Sequence, residues 1–209
     1  MNSSPKSLLI GTRNPAKIVE VKSMLKGLPF ELTSLAESGS PRTVNETGQT
    51  FAENAALKAQ GYALQTSLWT ISDDSGLEVD ALDGAPGVLS ARFAGEEASD
   101  SQRVSRLLSK LSLIPEKRRT ARFVCATAVS DADGELIFSA TGICHGRLSF
   151  HPRGSGGFGY DPVFLPDGYN LTLAELGLEV KNQISHRARA LAATRDFLLA
   201  LHEGILTSS

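Results

Sequence analysis

Cysteine is scarce: the 209 residues hold two, Cys125 and Cys144. Both stand inside apolar stretches, which argues against a disulfide framework and for buried thiols in a reducing compartment. The four histidines are scattered and no Cys/His spacing suits zinc, so a soft-metal site is disfavoured. Long apolar runs are missing too. None approaches the roughly 18 residues that a membrane helix requires. A surplus of one charge is also lacking, because 21 Lys+Arg face 23 Asp+Glu, a formal net charge of -2. That balance disfavours a non-specific nucleic-acid binder, which needs cations to neutralise phosphates. Hydrophobic residues at 41% are enough for a packed core, which argues against disorder. Met1 to Leu8 carries one lysine and too short an apolar stretch for a signal peptide, so the expected location is the cytoplasm. With no repeat, linker or low-complexity segment, residues 1–209 read as one domain.

What is present reads as a mixture of strands and helices. The run Ser7–Gly11 predicts a buried strand. Asn14 and Pro15 then predict a capped helix start, with Ile18, Val21, Met24 and Leu25 on one face and Gly27 as its end. Thr50 and Glu53 have capping-box spacing and open a helix that reaches about Gln65. Leu68–Ser72 reads as a strand ending in Asp73-Asp74-Ser75-Gly76, followed by a period-two stretch through Leu77, Val79 and Ala81 and a turn over Asp83–Gly87. Ser99 or Asp100 caps a helix carrying Val104, Leu107, Leu108 and Leu111. Strands over about 122–130 and 135–143 flank a hairpin signal, Asp131–Gly134. A last helix runs from about Ser185 to Glu203. This order predicts an α/β fold with a mixed sheet.

Four places could carry chemistry. In the loop Thr12-Arg13-Asn14-Pro15-Ala16-Lys17, helix-start N–H groups and the donors Thr12, Asn14 and Lys17 suit a phosphate, although a well-capped structural helix has the same pattern. It is not a Walker A loop. The acids Glu46, Glu53, Asp73 and Asp74 suit a hard cation such as Mg²⁺, or a polar turn, with Glu53 spent on its capping box. Neighbouring strand residues face opposite sides, so Asp73 and Asp74 are expected to differ in role. The stretch Arg153–Asp161 is glycine-rich around Phe158, letting backbone approach a ligand and offering a face for stacking, or serving as a plain loop. Finally, His186 and Arg187 follow the cap Ser185, where a cation opposes the helix dipole unless an anion or oxygen-rich ligand meets it.

Taken together, these residues resemble the inosine/xanthosine triphosphate pyrophosphatases. The likeness rests on Thr12–Glu20, Glu46–Ala55 with Lys58, Ser72–Leu77, Gly84–Gly87, Ser90–Phe93, Gly156–Pro162 and Ser185–Arg187, in family order. It implies an elongated mixed β-sheet flanked by helices, in two lobes around a central nucleotide cleft. It also implies a Mg²⁺-dependent enzyme, usually a homodimer, that hydrolyses ITP, dITP and XTP to the monophosphate and pyrophosphate. By the same resemblance Asp74 is the general base, Glu46 and Asp74 bind the metal, and Thr12, Arg13, Asn14, Pro15, Ala16 and Lys17 form the triphosphate loop. Lys58 and Ser75 add substrate contacts, while Phe158, Gly159, Tyr160, Asp161, Lys181, His186 and Arg187 take the nucleotide and its base. Arg13 departs from the glycine that many members carry there. Rival readings are a Maf-like pyrophosphatase, a nucleotide sensor without turnover, and a nucleic-acid module. The His186–Arg187 helix, the acid set and the net charge argue against these in turn.

Overall fold

A computed structural model describes residues 6–205, so part of the Met1–Leu8 stretch read for a leader lies outside it. The expected first strand is present as β1 (Lys6–Ile10), and its inner residues Leu8, Leu9 and Ile10 are buried. Helix α1 (Pro15–Met24) begins at the predicted cap, with the Asn14 side chain accepting from the Ala16 and Lys17 N–H groups. It stops before Gly27, at Leu25. Strand β2 (Phe30–Ser34) has no counterpart in the sequence reading, because its alternation is short and only Phe30 is buried. Helix α2 (Phe51–Thr66) carries the predicted capping box.

Strand β3 (Trp69–Val79) corrects the sequence reading. Asp73-Asp74-Ser75-Gly76 does not end a strand but lies in the middle of one continuous element, and Ala81 falls in the 3-10 turn Asp80–Leu82 that follows. The polar run looks like a turn by composition, yet tertiary partners hold it extended. A further 3-10 turn, Gly87–Arg92, leads to α3 (Asp100–Lys110), capped by Ser99. Strands β4 (Thr120–Ser130) and β5 (Leu136–Leu148) join through the predicted turn, and both extend beyond their expected limits. Asp161–Val163 forms a 3-10 turn before β6 (Phe164–Pro166). Helix α4 (Leu173–Ile184) was also not foreseen. Gly177 interrupts its periodicity at φ 77°, though Thr172 and Glu175 form a capping box that could have marked its start. Helix α5 (His186–His202) closes the described chain.

The six-stranded sheet runs β2-β1-β3-β4-β5-β6. β1 pairs in parallel with β2 and β3, and β5 pairs antiparallel with β6, so the sheet is mixed. The chain divides into two compact units. The first gathers the described residues through Asp74, Cys125–Thr141, and those from Arg189 onward; the second comprises Ser75–Val124 and Gly142–Ala188.

Within the first unit, alternation along β1 sorts its side chains. Leu8 and Ile10 pack with Val21 of α1, Leu25 at its end, and Leu191 and Leu198 of α5, whereas Leu9 packs with Tyr62 of α2. Each such buried leucine stabilises the fold by about 1.5–3 kcal/mol. The second unit has its own core, in which Leu77 and Val79 of β3 meet Val104 and Leu107 of α3 and Leu111 at its end, with Phe123 and Phe164. Cys125 and Cys144 are buried thiols outside any disulfide, as expected from the sequence. No helix among the described residues is long and apolar enough to cross a membrane.

Candidate active site

The first unit assembles the acids and lysines. β1 and β3 run side by side, and the Gly11 N–H donates to the Ile71 carbonyl at 2.7 Å. A Cβ on Gly11 would lie 2.1 Å from Ser72 Oγ and 3.1 Å from Thr70 and Tyr62 side-chain atoms, so any side chain there would force these neighbours to move. This closeness brings the loop after β1 alongside Asp73. Lys17 Nζ reaches Asp73 Oδ2 at 2.9 Å, and the carboxylate also accepts from Cys125 Sγ at 3.7 Å. Asp74, its neighbour on the strand, engages α2 instead. Asn54 Nδ2 donates to Asp74 Oδ2 at 3.1 Å, and Lys58 Nζ stands 3.6 Å from Asp74 Oδ1. The two acids therefore have different partners, as strand alternation requires.

Lys58 Nζ also donates to Glu46 Oε1 at 3.1 Å, so its ammonium bridges Glu46 and Asp74. Burial works to depress the Lys58 pKa, but Asp74, Asp73 and Glu46 outweigh it and hold the pKa above the ordinary lysine value. Burial lifts the Asp74 carboxyl above the ordinary carboxylate range; Lys58 and Lys17 pull it back, Glu46 raises it further, and the Asn54 hydrogen bond lowers it. A buried carboxylate with a raised pKa and a fixed orientation is suited to take a proton from water. Glu53 is spent on its cap, accepting from the Gln49 and Thr50 N–H groups at 2.6 and 3.1 Å.

In the loop after β1, the helix-start amides are already committed. The Ala16 and Lys17 N–H groups donate to Asn14 Oδ1 at 2.9 and 3.3 Å, and the Asn14 N–H donates to Thr12 Oγ1 at 3.2 Å. A phosphate here must compete with Asn14 or use side-chain donors. Thr12 is buried, Asn14 and Pro15 are exposed, and Ala16 and Lys17 are half-buried. Arg13 is exposed and donates to the Pro41 carbonyl.

Two carboxylates facing one ammonium form an oxygen-only donor set, the kind that suits a hard divalent cation. Among the described residues, no group of three or more His, Cys, Asp or Glu could close around a metal. Glu46 and Asp74 fit a cation whose other ligands are phosphate oxygens and water, the usual arrangement for Mg²⁺.

The second unit assembles the remaining residues. Arg187, 1% exposed, donates from Nη2 to Ser75 Oγ at 2.8 Å. Its guanidinium lies 5.6 Å from the centroid of Phe158, and Lys181 Nζ lies 4.4 Å from the same ring. Lys181 Nζ donates to Asp161 Oδ2 at 2.6 Å, in a pair only 2% and 3% exposed. Removing one partner of such a pair costs about 3–5 kcal/mol, so both residues hold the fold whatever else they do. His186 is buried and stacks on Phe123, with ring centroids 4.6 Å apart and 11° between planes. The Ser185 hydroxyl accepts from the Ala188 N–H at 3.1 Å, which provides the expected cap.

The glycine-rich loop folds tightly around Asp161, whose Oδ2 accepts from the Phe158 N–H at 2.9 Å. A Cβ on Gly157 would lie 2.1 Å from that oxygen, and its φ of +71° is one that L side chains rarely adopt. Tyr160 is buried, and its hydroxyl donates to the Ser90 carbonyl at 2.9 Å. Sequence reasoning assigned no role to Asn54, Cys125 or Phe123, and it took Asp100 only for a helix cap. Asn54 stood inside a recognised motif, but its link to Asp74, 20 residues away, has no local signal.

Residues 8–197 match the Ham1 family. The chain is 48% identical over 191 residues to a dITP/XTP pyrophosphatase of Geobacter sulfurreducens, covering 91% of this chain and 96% of that one. Among solved structures it is similar to a HAM1 protein from Coxiella burnetii (36% identity, TM-score 0.84, 92% and 98% of the two chains). It is also similar to the Ham1 protein of Staphylococcus aureus (38% identity, TM-score 0.83, 96% and 100%).

Proposed function

The chain belongs to the Ham1 family, and from that premise we propose that it hydrolyses deaminated purine nucleoside triphosphates (ITP, dITP and XTP) to the monophosphate and pyrophosphate. The observation that carries this reading is the buried Asp74, its pKa raised, oriented by Asn54 and faced by the Lys58 ammonium that also holds Glu46. Ionised Asp74 accepts a proton from the attacking water. The water oxygen bonds to the α-phosphorus, the bond from that phosphorus to the bridging oxygen breaks, and pyrophosphate leaves with the bonding pair. Lys17 and Lys58 counter the triphosphate charge, assisted by the donors of Thr12 to Lys17, so positioning and electrostatics dominate. Glu46 and Asp74 would hold Mg²⁺, which would supply charge neutralisation on the phosphates and polarisation of the phosphoryl group.

Phe158 to Asp161, Lys181, His186 and Arg187 form the nucleotide and base subsite. The Phe158 ring, with cations at Lys181 and Arg187 beside it, supplies an aromatic face. A 6-oxo base accepts hydrogen bonds where a 6-amino base donates, so a donor lost or mismatched there costs about 1–3 kcal/mol. Arg187, anchored by Ser75, is the donor we assign to this discrimination.

The test is product analysis with Mg²⁺ and, separately, ITP, XTP, GTP, ATP and dTTP. Monophosphate plus pyrophosphate from ITP and XTP, with little from the others, is the expected result. Diphosphate plus orthophosphate means attack at the γ-phosphorus and overturns the mechanism, and no turnover in any tube favours a sensor. The same panel on Arg187→Ala should show kcat/KM for ITP lower by roughly ten- to a hundredfold and a narrowed lead over ATP. An unchanged ratio removes Arg187 from selectivity. We further assign the protein to the cytoplasm, in keeping with its two buried thiols, neither in a disulfide. We assign it a homodimeric state, for which light scattering should give twice the chain mass; the mass of one chain refutes it.

A further inference from the structure

Glycines flank Phe158 on both sides, and both adopt left-handed backbone: Gly157 has φ +71° and Gly159 has φ +61°. Glycine enters and leaves such conformations without steric penalty, so the peptide planes around Phe158 are free to turn unless hydrogen bonds hold them. The Phe158 carbonyl accepts from the Asp161 N–H at 3.2 Å within the loop, and two carboxylates hold the N–H groups. Asp161 Oδ2 fixes the N–H that precedes the Phe158 side chain, at 2.9 Å. The next N–H, that of Gly159, donates to Asp100 Oδ2 at 2.6 Å, across 59 positions of sequence. Asp100 is the first residue of α3, and its other oxygen, Oδ1, accepts from Arg103 Nη1 one turn along the helix. The helix thus holds the carboxylate by one oxygen while the carboxylate holds the loop by the other. Hydrogen bonds to an ionised acceptor are among the stronger ones, which suits a loop with little regular structure.

We propose that Asp100 is a positioning residue for the base subsite: by fixing the Phe158–Gly159 peptide plane from α3, it sets the orientation of the Phe158 ring beside Lys181 and Arg187. The inference rests on the base-binding role proposed above for Phe158. Asp100 does not touch the reacting atoms. Its loss weakens substrate binding and leaves the chemical step, which belongs to Asp74, largely unchanged.

The decisive comparison uses the full chain as Asp100→Ala, Asp100→Asn and Ser99→Ala. Ser99→Ala removes the α3 cap, whose Oγ accepts from the Gln102 N–H, but leaves the Gly159 contact, so it reports what a weakened helix start does alone. Amide hydrogen exchange at Gly159 is read beside steady-state kinetics on ITP. Asp100→Ala should speed Gly159 exchange at least tenfold and raise KM for ITP about three- to tenfold, with kcat within twofold. Asp100→Asn, whose amide oxygen still accepts, should recover most of the KM. Ser99→Ala should leave Gly159 exchange and KM near wild type. The proposal is overturned if Asp100→Ala leaves KM unchanged, if Ser99→Ala raises KM as much, or if kcat falls while KM stays constant. Failure of the wild type to turn over ITP overturns the functional reading, and this proposal with it. Normal wild-type turnover with an unaltered Asp100→Ala variant overturns this proposal alone.

Discussion

Asp74→Asn should lower kcat/KM for ITP by about 10²–10⁴-fold, the usual contribution of a positioned general base. The substitution keeps the shape and one acceptor oxygen, so the contact with Asn54 Nδ2 can persist while the proton acceptor is lost. Stability should not fall with activity. The folded-state pKa of Asp74 is raised, chiefly by burial, so the fold binds a proton there more readily than the unfolded chain does. For a raised pKa, the stabilising contribution is present below the unfolded value and is lost as pH rises through the folded one. Ionised Asp74 is therefore a burden on the fold at neutral pH; a neutral amide relieves it but also takes one carboxylate from the buried Lys58 ammonium, which keeps Glu46. A Tm near wild type with a thousandfold slower enzyme is the expected signature. Near-wild-type turnover would falsify the assignment of Asp74 as base.

Lys58→Met should be nearly as damaging, for a different reason. In the wild type, Lys58 is the strongest influence pulling the Asp74 carboxyl back down against burial. Without it, only Lys17 and the Asn54 hydrogen bond oppose burial and Glu46, and the Asp74 pKa climbs further. In the metal-free protein the Asp74 carboxyl should titrate above the ordinary carboxylate range, and in Lys58→Met its titration, followed by NMR, should move to higher pH. Near neutrality the variant also lacks a cation for the triphosphate, and a loss of roughly 10²–10³-fold in kcat/KM is expected from the missing electrostatic partner. A titration that stays in place would separate Lys58 from Asp74 and leave it a phosphate contact alone. The alkaline side of the kcat/KM profile should be insensitive to Lys58 until high pH, because its carboxylate neighbours hold its pKa above the ordinary lysine value.

Much of this protein was legible locally. The caps at Asn14, Thr50, Ser99 and Ser185 were readable because capping joins residues two to four positions apart, and all four are in place. The buried β1 run, the Asp131–Gly134 turn and the motif blocks were equally readable, since each is a pattern within a few residues. The different roles of Asp73 and Asp74 followed from strand alternation alone. Where local cues pointed the wrong way, long-range contacts had overruled them. Asp73-Asp74-Ser75-Gly76 has turn composition but is held extended by Lys17, Lys58 and Arg187, which come from three different helices.

Sequence by itself determined which groups are available: two adjacent acids, a capped lysine loop, a glycine-bracketed phenylalanine and a His-Arg helix start. Only the tertiary structure decided how they are partnered. It gave Lys17 to Asp73 and Lys58 to Asp74 and Glu46, buried Lys181 against Asp161, and tied Gly159 to Asp100. The physical reason is that a pKa or a peptide orientation depends on charge, burial and hydrogen bonding at a few ångströms, and chain separation carries no information about such distances.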